Sequence, residues 1–356
     1  MRLVPAILLL LALLADLRPA RADTTEFPAP LGRASTHLTI ASVTDLSAFR
    51  PMIEAFQERY PGVAITYAES TSESLDVVSE KACENATYFA DLVISSSLPR
   101  QIWFVNEGCA EPLERARLSA VPSWARWRNE IVGLTYEPAI IVYNKAGVAP
   151  EDVPRNRFDL IDLLRRSNAL EGKIGTYDIE RSGVGYFLAF EDSEQASTWG
   201  RLLESLGRNR AALFCCTGDI LDRVADGRLL FGYNLLGSYA LERARTDPRI
   251  GIVMPSDYTL VTTRTAFVPK TAHEKTAAKL FIDFVLSSEG QEILEKKMNF
   301  AAPAGGADRL HARVDGGADS LRPIALTPTL LVPLDREKRR SFIEQWRQSM
   351  TPAKGP

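Results

Sequence analysis

Residues 37–69 read HLTIASVTDLSAFRPMIEAFQERYPGVAITYAE, and this stretch decides the fold. His37 to Val43 alternates apolar and small polar residues, the pattern of a short strand. Met52, Ile53, Phe56 and Tyr60 then recur on one face of a helix that begins between Asp45 and Arg50, with Pro51 placed in its first turn. Pro61-Gly62 stops that helix, and Val63 to Tyr67 is a second strand. Beyond it, Ser70 to Ser74 opens a helix carrying Leu75 and Val78 and ending near Lys81, and Asp91 to Ile94 is a third strand. Strand, helix, strand, helix, strand with short connections predicts a doubly wound α/β sheet with parallel strands.

Ligands of such sheets sit outside the carboxyl ends of the strands. Three of those ends here carry Thr44-Asp45, Ser70-Thr71-Ser72 and Ser95-Ser96-Ser97, all small hydroxyl or carboxylate groups ahead of helices or turns. Taken singly, each is equally an ordinary helix cap or turn. Taken together, they predict one shared pocket whose free N–H groups favour an anion.

A second unit begins with an apolar run at Ala139 to Tyr143, followed by a helix over Phe158 to Arg166 and a strand at Ile174 to Tyr177. Arg181-Ser182-Gly183 then leads into a helix through Phe187 to Phe190. Arginine is the natural fork for a carboxylate or phosphate, and Gly183 and Gly185 permit close backbone approach. The bland alternative for Arg181 is a surface ion pair with Asp178 or Glu180. Arg228 to Tyr233 reads as a strand, and Tyr233, Asn234 and Tyr239 would line the cleft from the opposite lobe wall or serve in strand-end packing and capping. Val261 to Val268 leads to Pro269-Lys270 and a long amphipathic helix with Ala277, Leu280, Phe281, Phe284 and Val285 on its buried face. Ser288-Glu289-Gly290-Gln291 has capping-box spacing, Ala301 to Asp319 reads as loop, and Asp335 to Met350 as a closing amphipathic helix.

Arg2, the apolar run Leu3 to Leu14 and Ala20-Arg21-Ala22 have the layout of a cleaved secretory leader, too short in its apolar part to span a bilayer. Its removal takes away three Arg and one Asp and moves the formal charge from −3 to −5. A mildly acidic chain has no electrostatic footprint for nucleic acid. In an oxidising compartment the four cysteines suggest pairing. Cys83 and Cys109 flank one strand and are the preferred bridge; Cys215 and Cys216 form either a vicinal bond or two thiols. With only His37, His273 and His311, scattered, neither a His-based catalytic site nor a His-rich metal site is expected, and no cofactor is expected. No G-x-S-x-G elbow, H-E-x-x-H or P-loop occurs, so a hydrolase would have to rest on a carboxylate pair.

Several stretches carry a family likeness: Phe56-x-x-x-Tyr60-Pro61-Gly62-Val63, Asp91-Leu92-Val93-Ile94, Ile141-Val142-Tyr143-Asn144-Lys145, and Phe281-x-x-Phe284-Val285-Leu286-Ser287-Ser288-Glu289-Gly290-Gln291. In this order they resemble the family 1 extracellular solute-binding proteins of ABC importers. Gly232-Tyr233-Asn234-Leu235-Leu236-Gly237-Ser238-Tyr239 and Leu334-Asp335-x-x-Lys338-Arg339 resemble the ferric-iron-like and organophosphate-sensing branch, which includes the phosphoglycerate-transport regulatory protein. The resemblance implies a type II periplasmic-binding-protein fold, with two doubly wound lobes and a ligand cleft between them. The expected division is a leader at 1–22, an arm at 23–36, lobe 1 at 37–134 and 262–308, and lobe 2 at 135–261 and 309–356. It implies a monomeric, non-enzymatic periplasmic receptor for a small anionic solute, partnered by an inner-membrane ABC permease or by a histidine-kinase sensor domain. Iron-binding relatives hold their metal with adjacent tyrosines; here that place reads Ser238-Tyr239, so a ferric site is not expected.

Overall fold

The computed structural model describes residues 23–115, 118–166, 168–195, 197–311 and 320–350. The leader expected at residues 1–22 and the last part of the loop expected at 301–319 lie outside them. Along the chain come β1 (Asp23–Phe27), β2 (Thr36–Ser42), α1 (Leu46–Arg59), β3 (Val63–Glu69), α2 (Ser72–Asn85), β4 (Leu92–Ser95), α3 (Leu98–Asn106), β5 (Arg126–Trp127) and β6 (Ile131–Gly133). Next are β7 (Glu137–Asn144), α4 (Arg157–Arg166), β8 (Ile174–Tyr177), α5 (Gly183–Gln195), α6 (Trp199–Arg208), β9 (Ala212–Phe214), α7 (Thr217–Ala225), β10 (Phe231–Leu236) and α8 (Gly237–Thr246). The remainder comprises β11 (Ile250–Val253), β12 (Thr259–Thr262), β13 (Thr265–Phe267), α9 (Lys275–Leu286), α10 (Ser288–Lys296), α11 (Gly306–His311), β14 (Leu321–Pro323) and α12 (Arg336–Met350).

These strands form two sheets. The first runs β1-β3-β2-β4-β13-β6-β5, and the second β14-β12-β7-β10-β8-β9 with β11 also on β7. In the first, β2 pairs in parallel with β3 and β4, the winding read from residues 37–95; β1 and β13 add antiparallel strands to it. In the second, β8 is parallel to β9 and β10. Alternate residues of β2 and β4 face opposite sides. Leu38, Ile40, Leu92 and Ile94 pack with Phe49, Met52 and Phe56 of α1 and Phe281 of α9, whereas Ala41 and Val93 pack with Leu75 of α2 and Ile102 of α3. The second sheet is likewise covered on both faces, with α12 closing over α6 through stacked Trp346 and Trp199.

Several local readings change. The expected arm at 23–36 supplies β1, paired with β3 across Asp23–Glu69 to Phe27–Ile65. Pro51 lies inside α1 rather than in its first turn, and it cannot donate to the carbonyl four residues back. The α10 cap is Ser287, whose hydroxyl accepts from Gly290 N–H, not Ser288. A short helix, α11, interrupts the expected loop after Ala301. The run at 261–268 forms two strands, β12 and β13, in different sheets. The chain therefore crosses between sheets at Thr263-Arg264, and it also crosses between β6 and β7. The two crossings are tied together: Leu134 N–H donates to Arg264 O, and Arg264 N–H donates to Thr135 Oγ1.

Candidate functional site

A cavity of about 430 Å³ lies between the two sheets. Six parallel strands point their carboxyl ends at it. From the first sheet come Asp45 after β2, Ser70 to Ser72 after β3, and Ser96 after β4. From the second come Arg181 and Ser182 after β8, Cys215 to Thr217 after β9, and Leu236 and Tyr239 at and after β10. Helices α1, α2, α5, α7 and α8 begin in these same loops, so several positive helix ends converge on one space. Thr71 caps α2 by accepting from Ser74 N–H, and Ser182 Oγ accepts from Gly185 N–H. Asp45 stands at the cap of α1 without bonding it; Glu69 takes the Leu46 N–H instead, at 2.8 Å. The Asp45 carboxylate is left to face Tyr239, and burial together with that hydrogen bond pushes the phenol well up, against the pull of Arg264.

Arg181 is exposed at the cavity edge and makes no side-chain ion pair among the described residues. Glu180, its alternative partner, is held by Arg347. Arg264 is the opposite case. It is buried at the crossing, donates to Thr44 Oγ1 at 2.7 Å, and pairs with Glu137 at 2.9 Å. Its guanidinium also lies over the rings of Tyr239 and Phe300. The lobes meet at Gly183, where an added Cβ would stand 3.2 Å from Ser72 Cβ and 3.4 Å from Ser97 Oγ.

The sequence matches the family model for bacterial extracellular solute-binding proteins over residues 88–323. It is 34% identical to the substrate-binding protein of an ABC transporter from Agrobacterium tumefaciens, with a TM-score of 0.86, covering 93% of this chain and 99% of that one. The chain belongs to the bacterial extracellular solute-binding proteins. At 19% identity it shares the fold of AfuA from Actinobacillus pleuropneumoniae, solved with exogenous fructose-6-phosphate bound (TM-score 0.68, covering 90% and 100%). The same holds for iron-bound HitA from Pseudomonas aeruginosa (19%, TM-score 0.65, covering 88% and 99%). No curated protein sequence matches the chain. Members of this family are binding proteins, not enzymes, and they deliver small solutes to ABC permeases.

In this solute-binding protein the residues singled out from sequence divide into three groups. Asp45, Ser70, Thr71, Ser72, Ser96, Arg181, Ser182 and Tyr239 line the cavity. Thr44, Ser95, Ser97 and Gly183 support it from behind or from the lobe contact. Thr44 holds Arg264, Ser95 Oγ accepts from Ser97 N–H, and Ser97 Oγ donates to Asp76. Tyr233 and Asn234 do not face the cleft. Both donate to Asp192 Oδ2, at 2.6 and 3.0 Å, in a buried cluster with Arg157 and Tyr258. Tyr233 lies two residues from Phe231 and by strand alternation shares its face toward α5 and α6. A bulge follows, with the register shifting between Gly232 and Leu235 and Asn234 at φ 64°, and it sends Leu235 into the opposite core. The strand also starts at Phe231, later than expected, and runs to Leu236.

Sequence reasoning missed Arg264, Glu69, Tyr177 and Thr217 as wall residues. The only available signal was their position at strand ends or at the crossing. A larger hollow of about 950 Å³, lined by Tyr143, Lys145, residues 150–155 and one face of α4 from Asp159 to Arg166, is a surface groove of the second lobe and involves no strand end that faces the first. The cysteines are paired as Cys83–Cys109, with a Cα separation of 5.7 Å, and as the vicinal Cys215–Cys216. Among the described residues no helix is long and apolar enough to cross a membrane.

Proposed function

We propose that this solute-binding protein captures a small organic anion, phosphorylated or carboxylated, in the periplasm and presents it as a monomer to the permease of an ABC importer. The supporting observation is the convergence on one interlobe cavity of several helix N-termini and Arg181, whose guanidinium has no carboxylate partner among the described residues. An anion there receives a bidentate fork from one lobe and hydroxyls from Ser70, Thr71, Ser72 and Ser96 of the other. Contacts from both lobes exist only when the lobes are together, so the ligand biases the hinge toward closure.

Two features favour an organic anion over a ferric ion. Ser238, in the place of a second tyrosine, donates its hydroxyl to Glu137, and the Tyr239 phenol is held protonated by burial and by Asp45. Calorimetric titration with fructose-6-phosphate, 3-phosphoglycerate and dicarboxylates tests the reading. Arg181→Ala should weaken the best of them about tenfold or more, since a hydrogen bond to a charged group contributes about 1.5–3 kcal/mol. Tight binding of ferric ion with indifference to every organic anion would sink the proposal.

A further inference from the structure

One part of the cavity wall carries neither charge nor hydroxyl. Cys215 and Cys216 follow β9, are bonded to each other, and line the cavity beside Thr217 and Gly218. A disulfide between chain neighbours closes a ring through the peptide bond that joins them. Neither sulfur can then swing away, so the wall is preorganised at no entropic cost to the ligand. The sulfurs are polarisable, weakly hydrated and poor hydrogen-bond acceptors, which makes the ring an apolar surface in a polar cleft.

Cys216 also occupies the cap position of α7, where Ser, Thr, Asp or Asn would usually turn an oxygen back onto the first-turn amides. Here the side chain makes no such bond, and the residues of that turn, Thr217 and Gly218, belong to the cavity wall. Thr217 is fixed by a 2.6 Å hydrogen bond between its Oγ1 and the Tyr177 hydroxyl. Val184 and Leu236 continue the apolar surface on the same lobe. The first lobe, in contrast, contributes mainly hydroxyls and carboxylates, from Ser70, Thr71, Ser72, Asp45 and Glu69. The cavity therefore has two unlike sides.

We infer that the Cys215–Cys216 ring is a specificity platform: it seats the C–H face of a ligand whose hydroxyls point to the first lobe and whose anionic group meets Arg181. The ligand class is a phosphorylated or carboxylated polyol, and the platform selects it over a bare inorganic anion. This inference rests on the anion reading of the same cavity. An opened pair would lose the platform, because two free side chains rotate independently and no longer hold one fixed surface where the ring stood.

The test is calorimetric titration of the oxidised protein with fructose-6-phosphate, 3-phosphoglycerate, malate and inorganic phosphate, repeated with C215S/C216S. The oxidised protein should prefer at least one carbon-bearing anion over inorganic phosphate. In the double variant that preference should fall about tenfold, about 1.4 kcal/mol, with inorganic phosphate little changed. An undiminished preference in the variant overturns the platform and leaves the anion reading standing. Failure of the oxidised protein to bind any of the four overturns the anion reading, and the platform with it. Because the double substitution also alters the start of α7, dithiothreitol titration of the unsubstituted protein gives an independent comparison. Mass spectrometry of alkylated thiols reports when the 215–216 bond has opened while Cys83–Cys109 is intact. Loss of the preference in that state supports the platform, and its retention refutes it.

Discussion

Replacing Arg264 by methionine should destabilise the protein by about 3–4 kcal/mol. Arg264 and Glu137 are both nearly inaccessible, with side-chain exposures of 2% and 1%, and stand 2.9 Å apart where the chain crosses between sheets. Removing one partner of a buried ion pair strands the other charge, at a cost of about 3–5 kcal/mol. The lower half of that range applies here because Glu137 keeps two hydroxyl donors, Thr135 at 2.7 Å and Ser238. Methionine refills much of the space between Tyr239 and Phe300, so little of the cost is cavity. With an unfolding entropy of about 2.1 cal/mol/K per residue, the loss corresponds to a fall in Tm of about 5 °C. Glu137→Gln removes the stranded charge and keeps an acceptor for one of the two hydroxyls, so in that background the same Arg264→Met change should cost only about 1 kcal/mol. Urea unfolding followed by circular dichroism and by tryptophan fluorescence reads all four members of the cycle. Coincident transitions would establish that one free energy describes both lobes. A cost below about 1 kcal/mol for Arg264→Met alone, or the same cost with and without the Glu137 charge, would show that the pair does not bear on the crossing as argued.

Three further outcomes are expected. Gly183→Ala places a methyl 3.2 Å from Ser72 Cβ where the lobes touch, so ligand affinity should drop about fivefold, roughly 1 kcal/mol, with the melting temperature of the ligand-free protein preserved; equal affinity would place the lobe contact elsewhere. Burial pushes the Asp76 carboxyl up to about 7, against hydrogen bonding from Ser97 and attraction from Arg100. A raised acid binds its proton more tightly when folded, so this group makes stability fall as pH rises from about 4 to about 7. Glu191, also raised to about 7 by burial, acts in the same direction. Asp76→Asn should flatten part of that slope, and an unchanged slope in pH-dependent urea melts would reject the assignment. Opening the Cys83–Cys109 bridge, which spans 26 residues, with C83S/C109S should cost about 3.5 kcal/mol on chain-entropy grounds, read in the same melts; a loss under 1 kcal/mol would mean that the unfolded chain is already compact there.

The sequence by itself determined the winding of the first sheet. Periodicity switches from two to 3.6 and back across residues 37–95, and turn residues punctuate it, so β2, α1, β3, α2 and β4 were legible from local chemistry alone. Strand carboxyl ends followed from that order, which is why Asp45, Ser70 to Ser72 and Ser96 were legible as wall residues from sequence alone. The tertiary structure alone decided three things. The bulge at Asn234 sent Leu235 to the face opposite Phe231 and Tyr233, because one extra residue in β10 changes which side of the sheet each later side chain faces. The packing of the two sheets placed the Arg264 guanidinium at the crossing between β12 and β13 and buried it there against Glu137, a pairing between residues 127 apart that no local pattern encodes. The vicinal pairing of Cys215 and Cys216, and its position in the cavity wall, depended on the fold of the loop between β9 and α7 and on the opposite lobe, neither of which a pair of adjacent cysteines encodes.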